Sequence, residues 1–183
     1  MHHSRHPRPV IDIPAAPSFT PVGWALAIRL PVLNFHAGTR FDLRRKIRTI
    51  LDRFEDEATP FNNSEVLRGL NPSDVDICDL AALHRATDRE YALLVRHTDD
   101  SEERVLIRGI PNETSIPPCF LDQGLIWYAH SHPDDWTRAS GDDRQALQEF
   151  AAATGQQKSV IVAASGRCES FTEHHDLSSW LPP

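Results

Sequence analysis

The sequence predicts an α/β fold in which helices pack on a curved, mixed β-sheet. Two observations lead to this prediction. Segments with the periodicity of amphipathic helices alternate with short apolar runs of strand length. Their order along the chain is helix, helix, hairpin, long loop, strand, helix, strand, strand, and such mixing is typical of layered α/β domains. At 183 residues, the chain has about the length of one domain.

The first 38 residues are predicted to form a proline-rich arm that precedes the folded domain, which we place at residues 39–176. Six prolines interrupt this arm, and a short strand lying on the domain is expected near Trp24–Leu30. The N-terminus lacks the continuous apolar segment of a secretory signal. Residues 177–183 are expected to be a short tail.

Two helices are predicted before the first strand. Thr39 and Asp42 have the spacing of a capping box, and apolar residues then recur at helical spacing: Ile47, Ile50, Leu51 and Phe54. The opposite face carries arginines, which we interpret as a solvated surface because acidic residues follow closely. Asn71 and Pro72 resemble a helix cap followed by proline at the first helical position, which predicts a second helix over about residues 72–86.

Several later segments have the apolar character and the length of β-strands: residues 90–96, 105–107, 125–129, 158–164 and 168–173. The first two are separated by a polar turn at residues 98–101, so we expect them to form a hairpin. The third run leads directly into residues 130–143, which are the most informative part of the chain for function.

Imidazole and carboxylate groups follow this third run at a spacing that suits a metal ion. His130 and His132 stand two residues apart at the end of the predicted strand, so both side chains are expected on one face. Ser140 and Asp143 have the form of a helix-opening capping box, and Gly155 is a suitable helix stop. Asp143 would then lie in the first turn of a helix. We therefore predict a three-ligand site of the kind found in zinc hydrolases, with a fourth position open for water.

This pattern resembles the motif of the JAMM (MPN+) metalloprotease family at five positions: His130, His132, Pro133, Ser140 and Asp143. The resemblance implies a JAB/MPN-like fold, with layering similar to that of cytidine deaminases. It also implies a zinc-dependent hydrolase of peptide or isopeptide bonds. In such an enzyme His130, His132 and Asp143 would bind Zn²⁺, and Ser140 would help to bind the tetrahedral intermediate.

The family resemblance also implies a glutamate general base on an upstream strand. Glu90 opens the first strand of the predicted hairpin, where the family places this residue. Residues 89–91 also resemble the glutamate segment of JAMM-like domains at the ends of bacterial polymorphic toxins. Those domains usually continue with glycines, whereas this chain has Ala92 and Leu93. The predicted catalytic core covers about residues 88–176. Four other glutamates in or before this core are less well placed to act as the base: Glu65, Glu102, Glu103 and Glu113.

The substrate implied by the resemblance is ubiquitin, a ubiquitin-like protein or a peptide. The biological setting stays open among a deubiquitinase, an enzyme that processes a sulfur-carrier protein, and a toxin or effector domain with another amide substrate. Two other classes are also open. One is a non-catalytic binding module on the same scaffold, and the other is a different metal hydrolase such as a phosphoesterase. Trp136, between the predicted ligands, would either contact a substrate tail or shield the site.

Composition limits the partners. The formal net charge is −7, from 26 acidic and 19 basic residues, which disfavours binding to a nucleic-acid backbone. No apolar segment is long enough to span a membrane.

The odd number of cysteines favours a reducing compartment, so we expect a cytoplasmic protein or one delivered as an effector. All three are expected to be buried thiols without a metal or nucleophilic role: Cys78, Cys119 and Cys168.

Overall fold

The computed structural model of the chain describes residues 39–133 and 135–173. The predicted N-terminal arm and C-terminal tail therefore lie outside the described residues. Within them, the chain forms three α-helices, seven β-strands and one 3₁₀ turn: α1 (Thr39–Glu57), β1 (Thr59–Phe61), β2 (Ser64–Leu70), α2 (Ile77–Thr87), β3 (Tyr91–His97), β4 (Glu102–Arg108), the 3₁₀ turn (Pro118–Phe120), β5 (Ile126–His132), α3 (Gly141–Thr154), β6 (Lys158–Ala163) and β7 (Cys168–Thr172).

The seven strands form one sheet in the order β1-β2-β4-β3-β5-β6-β7. Neighbouring strands are antiparallel except β5 and β6, which run parallel. A parallel pair needs a crossover connection, and α3 supplies it here. The α/β class, with a mixed sheet packed with helices, is thus confirmed.

The helices cover both faces of the sheet. Residues of α1 and α2 pack in one apolar cluster with one face, and Leu147 and Phe150 of α3 pack in a second cluster with the other. This arrangement explains why the strand runs are almost continuously apolar. In β3, Leu93 lies in the first cluster whereas Ala92 and Leu94 lie in the second. A strand that is covered on both faces cannot alternate between apolar and polar residues.

The second helix begins at Ile77, so the prediction that it starts near residue 72 is wrong. Its cap is Asp76, whose carboxylate accepts a hydrogen bond from the Cys78 N–H at 2.9 Å, while the Asp79 carboxylate accepts one from the Asp76 N–H at 2.8 Å. This reciprocal capping box satisfies two otherwise unpaired backbone donors. Asn71 instead closes a turn by accepting from the Ser73 N–H at 3.0 Å.

The hairpin of β1 and β2 has no counterpart among the predicted elements. The two strands are joined by Asn62 and Asn63, and Asn62 adopts a positive φ of 48°, a conformation that asparagine tolerates in tight turns. β1 lies at the sheet edge, is only three residues long and is mostly exposed. It therefore lacks an apolar run of the kind by which β3 to β7 were predicted.

The cysteines are less buried than predicted. Cys119 is exposed, while Cys78 and Cys168 are half-buried, so the expectation of three buried thiols is wrong for Cys119 and holds only in part for the other two. Its position within the short 3₁₀ turn, in a proline-rich loop, explains the exposure, because loops run over the surface. None of the helices in the described part of the chain has the length and apolarity that a membrane span requires.

Candidate metal centre

The two predicted histidine ligands lie at the carboxyl end of β5, in the middle of the sheet. His130 pairs with Ala92 of β3 on one side and with Ile161 of β6 on the other. Both imidazoles are buried, with 3% of His130 and 7% of His132 exposed. Their Nε2 atoms are 2.9 Å apart, so the prediction that both side chains lie on one face is confirmed.

A β-bulge determines which aromatic residue supports these histidines. Leu93 pairs with Ala129 and Leu94 with Trp127, so Tyr128 is the extra residue in β5. The bulge brings Trp127 to the face of the histidines, where its ring centroid lies 4.7 Å from that of His130. Tyr128 packs against the opposite core. Strict alternation would have placed these two residues the other way round.

Asp143 completes the cluster from α3. Ser140 is the N-cap of this helix, and its hydroxyl accepts a hydrogen bond from the Asp143 N–H at 3.0 Å. In return, Asp143 Oδ2 accepts from the Ser140 N–H at 2.7 Å. This capping box, predicted from the sequence, orients the carboxylate: Asp143 Oδ1 lies 3.1 Å from His130 Nε2 and Oδ2 lies 3.4 Å from His132 Nε2.

The protonation states of this cluster suit metal binding. Burial is the largest influence on His130 and lowers its pKa, although Asp143 acts in the opposite direction. Burial alone would raise the pKa of Asp143, but hydrogen bonds with His130 and His132 outweigh it and hold the pKa well below its usual range. A neutral imidazole and an ionised carboxylate are the forms that coordinate a metal. One ligand atom from each of the three residues lies within 4.8 Å of the others.

The surroundings of the Nδ1 atoms of both histidines show which ring nitrogen could bind a metal ion. The Nδ1 atoms of His130 and His132 are buried, and no described group forms a hydrogen bond with them. Histidines that bind metal usually donate this second N–H to an acceptor. Here the rings are positioned by aromatic packing instead, since Trp127 and Phe171 flank His130 with centroids at 4.7 and 5.7 Å. The Nε2 atoms are thus the ones directed at the candidate metal position.

Glu90 lies beside the cluster, as the family resemblance implies. It directly precedes β3, and the antiparallel register that pairs Ala92 with His130 brings Glu90 opposite His132. Only 8% of Glu90 is exposed, and none of the described residues forms a hydrogen bond with its carboxylate. Burial, and then the negative charges of Asp143 and Glu113, raise its pKa from 4.5 to about 7, against an opposing effect of His132.

The other glutamates considered from the sequence are placed differently. Three form ion pairs: Glu65 with Arg108, Glu102 with Arg104, and Glu103 with Arg96. The fourth, Glu113, is exposed and lines the same cavity as the metal cluster. Glu90 is therefore the one buried carboxylate among these five residues that faces the cluster without a hydrogen-bond partner in the described structure.

Ser131 connects the two strands that carry the candidate site residues, a role that sequence reasoning missed. Its hydroxyl accepts a hydrogen bond from the Tyr91 N–H at 2.8 Å, and His84 Nδ1 lies 3.4 Å from the same oxygen. Ser131 stands between the two histidines, and Tyr91 follows Glu90. The contact therefore holds the start of β3 against the end of β5. No local signal predicts it, because the partners are 40 and 47 residues away in the sequence.

A cavity of about 510 Å³ opens beside the cluster. All five residues predicted to form the site line it: Glu90, His130, His132, Ser140 and Asp143. None of the three cysteines does. Trp136, for which two roles were open, is 57% exposed and lines the cavity.

Comparisons of the chain with protein-family models, with curated proteins and with solved structures find no match. The class of this protein is therefore defined by its own fold and site. It is an α/β protein with a mixed sheet, in which two buried histidines and an aspartate are placed so that they could hold a metal ion. The resemblance to the JAMM family stays a prediction that depends on the sequence motif.

Proposed function

We propose that this chain is a zinc-dependent hydrolase of peptide or isopeptide bonds. One observation carries the proposal: the three potential ligands and the buried carboxylate of Glu90 line a single cavity. A cluster that only held a metal ion would not require an unpaired carboxylate beside it. A buried carboxylate without hydrogen bonds lowers the stability of the folded chain. Perturbed carboxyl groups in a cavity are more typical of catalytic sites.

The donor set fits zinc. Two imidazole nitrogens and one carboxylate form the three-ligand set of many catalytic zinc sites, which leave one coordination position for water or substrate. When bound, Zn²⁺ supplies Lewis-acid chemistry, because it lowers the pKa of water to about 7 and polarises a carbonyl group. His130 and His132 would bind it through Nε2, and Asp143 through the carboxylate that its capping box orients.

Glu90 is proposed as the general base. Its buried carboxylate, without a hydrogen-bond partner in the described structure, can accept a proton from the attacking water and later deliver it to the departing amine. Burial raises its proton affinity, whereas a solvated glutamate is a weak base and is almost wholly ionised at neutral pH, so that it seldom carries a proton to deliver. The register with β5 places Glu90 next to His132, on the same side of the sheet as the ligands.

Ser140 has both a structural and a proposed chemical role. Its hydroxyl oxygen accepts the Asp143 N–H, but the hydroxyl proton stays available to a second partner. We propose that it donates to the oxygen of the tetrahedral intermediate, as in an oxyanion hole. The exposed position of Ser140 at the cavity wall leaves that proton accessible to a substrate.

The substrate that we propose is ubiquitin, a ubiquitin-like protein or a peptide derived from one. Support for this choice comes from the motif shared with the JAMM family. A cysteine-dependent mechanism has no support in the site, because no cysteine lines the cavity.

The test combines metal content with cleavage. We expect one zinc per chain by inductively coupled plasma mass spectrometry, and chelator-sensitive cleavage of an amide-linked fluorogenic derivative of ubiquitin or a ubiquitin-like protein. Glu90→Gln should retain zinc and lose hydrolysis by about 10²-fold or more. Asp100→Asn, in the exposed hairpin turn, serves as a control with the same change of charge. Full activity of Glu90→Gln, or cleavage that survives complete removal of the metal, would refute the proposal.

A further inference from the structure

We propose that the groove between α1 and α2 is a docking site for a segment of another protein that carries acidic and apolar side chains. This α1–α2 groove is defined by Leu43, Ile47 and Leu51 on one side and by Ala82, Arg85 and Ala86 on the other. Both helices pack on the face of the sheet opposite α3 and the metal cluster, so the proposal does not depend on the hydrolase function. Two features lead to it: an apolar floor, and arginines that lack a carboxylate partner.

The floor of the α1–α2 groove is apolar. Leu43, Ile47 and Leu51 recur at four-residue spacing and so form one stripe along α1. Ile47 is buried, whereas Leu43 and Leu51 are half-buried and keep part of their surface in the groove. Alanines on the α2 side leave a volume of about 990 Å³, which is large enough for several peptide side chains. An apolar side chain that binds there leaves water and gains the free energy of burial.

The basic residues of α1 fall into two groups. Three form ion pairs with described carboxylates and lie outside the α1–α2 groove: Arg45, Lys46 and Arg53. Arg44 and Arg48 are exposed and line the groove, and neither forms an ion pair within residues 39–133 and 135–173. The positive charge that the folded chain leaves unpaired on this helix is therefore located at the groove.

Arg85 adds a third guanidinium group from α2. It donates one hydrogen bond to the Ala164 carbonyl, which holds the side chain in place, and a guanidinium has further N–H groups for a second partner. Asp52 is the one carboxylate among the residues that line the groove. Three guanidinium groups around an apolar floor suit a segment that combines apolar side chains with carboxylates, since arginine matches the geometry of a carboxylate with two parallel hydrogen bonds.

The charge of the whole chain makes the α1–α2 groove selective. The formal net charge is −7, so an acidic segment is repelled by the molecule as a whole but attracted to these arginines. The same net charge disfavours the backbone of a nucleic acid as the occupant. Residues 1–38 carry three arginines and one aspartate, so their sequence does not supply the carboxylates that the groove requires.

The experiment selects ligands from a phage-displayed library of random peptides of about twelve residues, or three helical turns. The target is the full chain in the presence of a chelator. We expect the retained peptides to be enriched in aspartate or glutamate together with leucine, isoleucine or phenylalanine. Fluorescence anisotropy with one labelled, enriched peptide then measures affinity.

The double variant Arg44→Gln, Arg48→Gln should bind this peptide about fivefold more weakly than the wild type. Ala86→Gln, which places a larger side chain in the groove without a change of charge, should also weaken binding. The matched control Arg45→Gln, Lys158→Gln removes two exposed positive charges outside the groove and should bind like the wild type.

The other outcomes overturn the proposal. These are the retention of no peptide, enrichment without acidic residues, and binding that the double variant of Arg44 and Arg48 leaves unchanged. Sedimentation velocity tests a second copy of the chain as the occupant: self-association that is lost in this double variant would mean that the groove binds another copy rather than a different acidic protein. Because the selection is made with a chelator, failure of the zinc hydrolase would not change these results.

Discussion

The burial of Glu90 predicts that the proposed base destabilises the metal-free protein. A carboxyl group whose pKa is raised from 4.5 to about 7 in the folded state corresponds to about 3 kcal/mol of unfavourable free energy for its ionised form. Removing the titrating group by Glu90→Gln should therefore increase the free energy of unfolding at alkaline pH. A gain in stability from loss of a catalytic group is expected where function requires an unfavourable environment.

The pH dependence follows from the same pKa values. Below pH 4.5, Glu90 is protonated in both the folded and the unfolded chain. Between pH 4.5 and 7, the unfolded chain releases this proton while the folded chain retains it, so the stability of the wild type falls as the pH rises. Above pH 7 the folded chain also releases the proton, so the stability of the wild type falls no further on account of Glu90. Relative to the wild type, Glu90→Gln should gain about 2.5 kcal/mol between pH 5 and pH 8.

Urea unfolding, followed by circular dichroism in the presence of a chelator, measures this difference at pH 5 and pH 8. Asp100→Asn, which removes an exposed carboxylate from the hairpin turn, should show no comparable dependence. Saturating Zn²⁺ should reduce the stability that Glu90→Gln gains over the wild type, because a nearby cation stabilises the Glu90 carboxylate. A stability difference between Glu90→Gln and wild type that is the same at both pH values would refute the reasoning, since it would mean that the Glu90 carboxylate is solvated or paired.

Three further predictions concern the rest of the site. His132→Ala and Asp143→Ala should each abolish stoichiometric zinc, measured by mass spectrometry, and a variant that keeps one zinc per chain would contradict the ligand assignment. Ser131→Ala leaves the Tyr91 N–H without its acceptor and should cost about 1–3 kcal/mol in urea unfolding, whereas Ser131→Thr retains the hydroxyl and should cost less; equal losses would argue against the hydrogen bond. Replacing Cys78, Cys119 and Cys168 with serine should leave turnover largely intact, because none of them lines the cavity. A variant that folds but is inactive would contradict a metal-dependent mechanism.

The elements that were predicted well are those whose signals are local. The capping box of Ser140 and Asp143 and the helix end at Gly155 depend on contacts within a few residues, and both are present. Strands β3, β5 and β6 were predicted because burial on both faces requires continuous apolar runs. The start of α2 was predicted wrongly because two segments have the pattern of a helix cap. Asn71-Pro72 was taken as the cap, but Asp76 and Asp79 form the reciprocal capping box that starts α2.

Local sequence patterns specify which side chains could form a metal centre and why two of them share a face. Spacing along a strand and within the first turn of a helix is set by backbone geometry, so the positions of His130, His132 and Asp143 in the chain are enough to propose them as candidate ligands. The helix-capping geometry also oriented Asp143. These are consequences of short-range chemistry.

The way in which distant segments meet at the site depends on packing across the fold. The register of β3 against β5 brought Glu90 next to His132, and the bulge at Tyr128 brought Trp127 beneath His130. The link from Ser131 to Tyr91 spans 40 residues. A shift of one residue in strand pairing moves every side chain to the opposite face, and that register is set by packing across the whole sheet rather than by the residues of either strand alone.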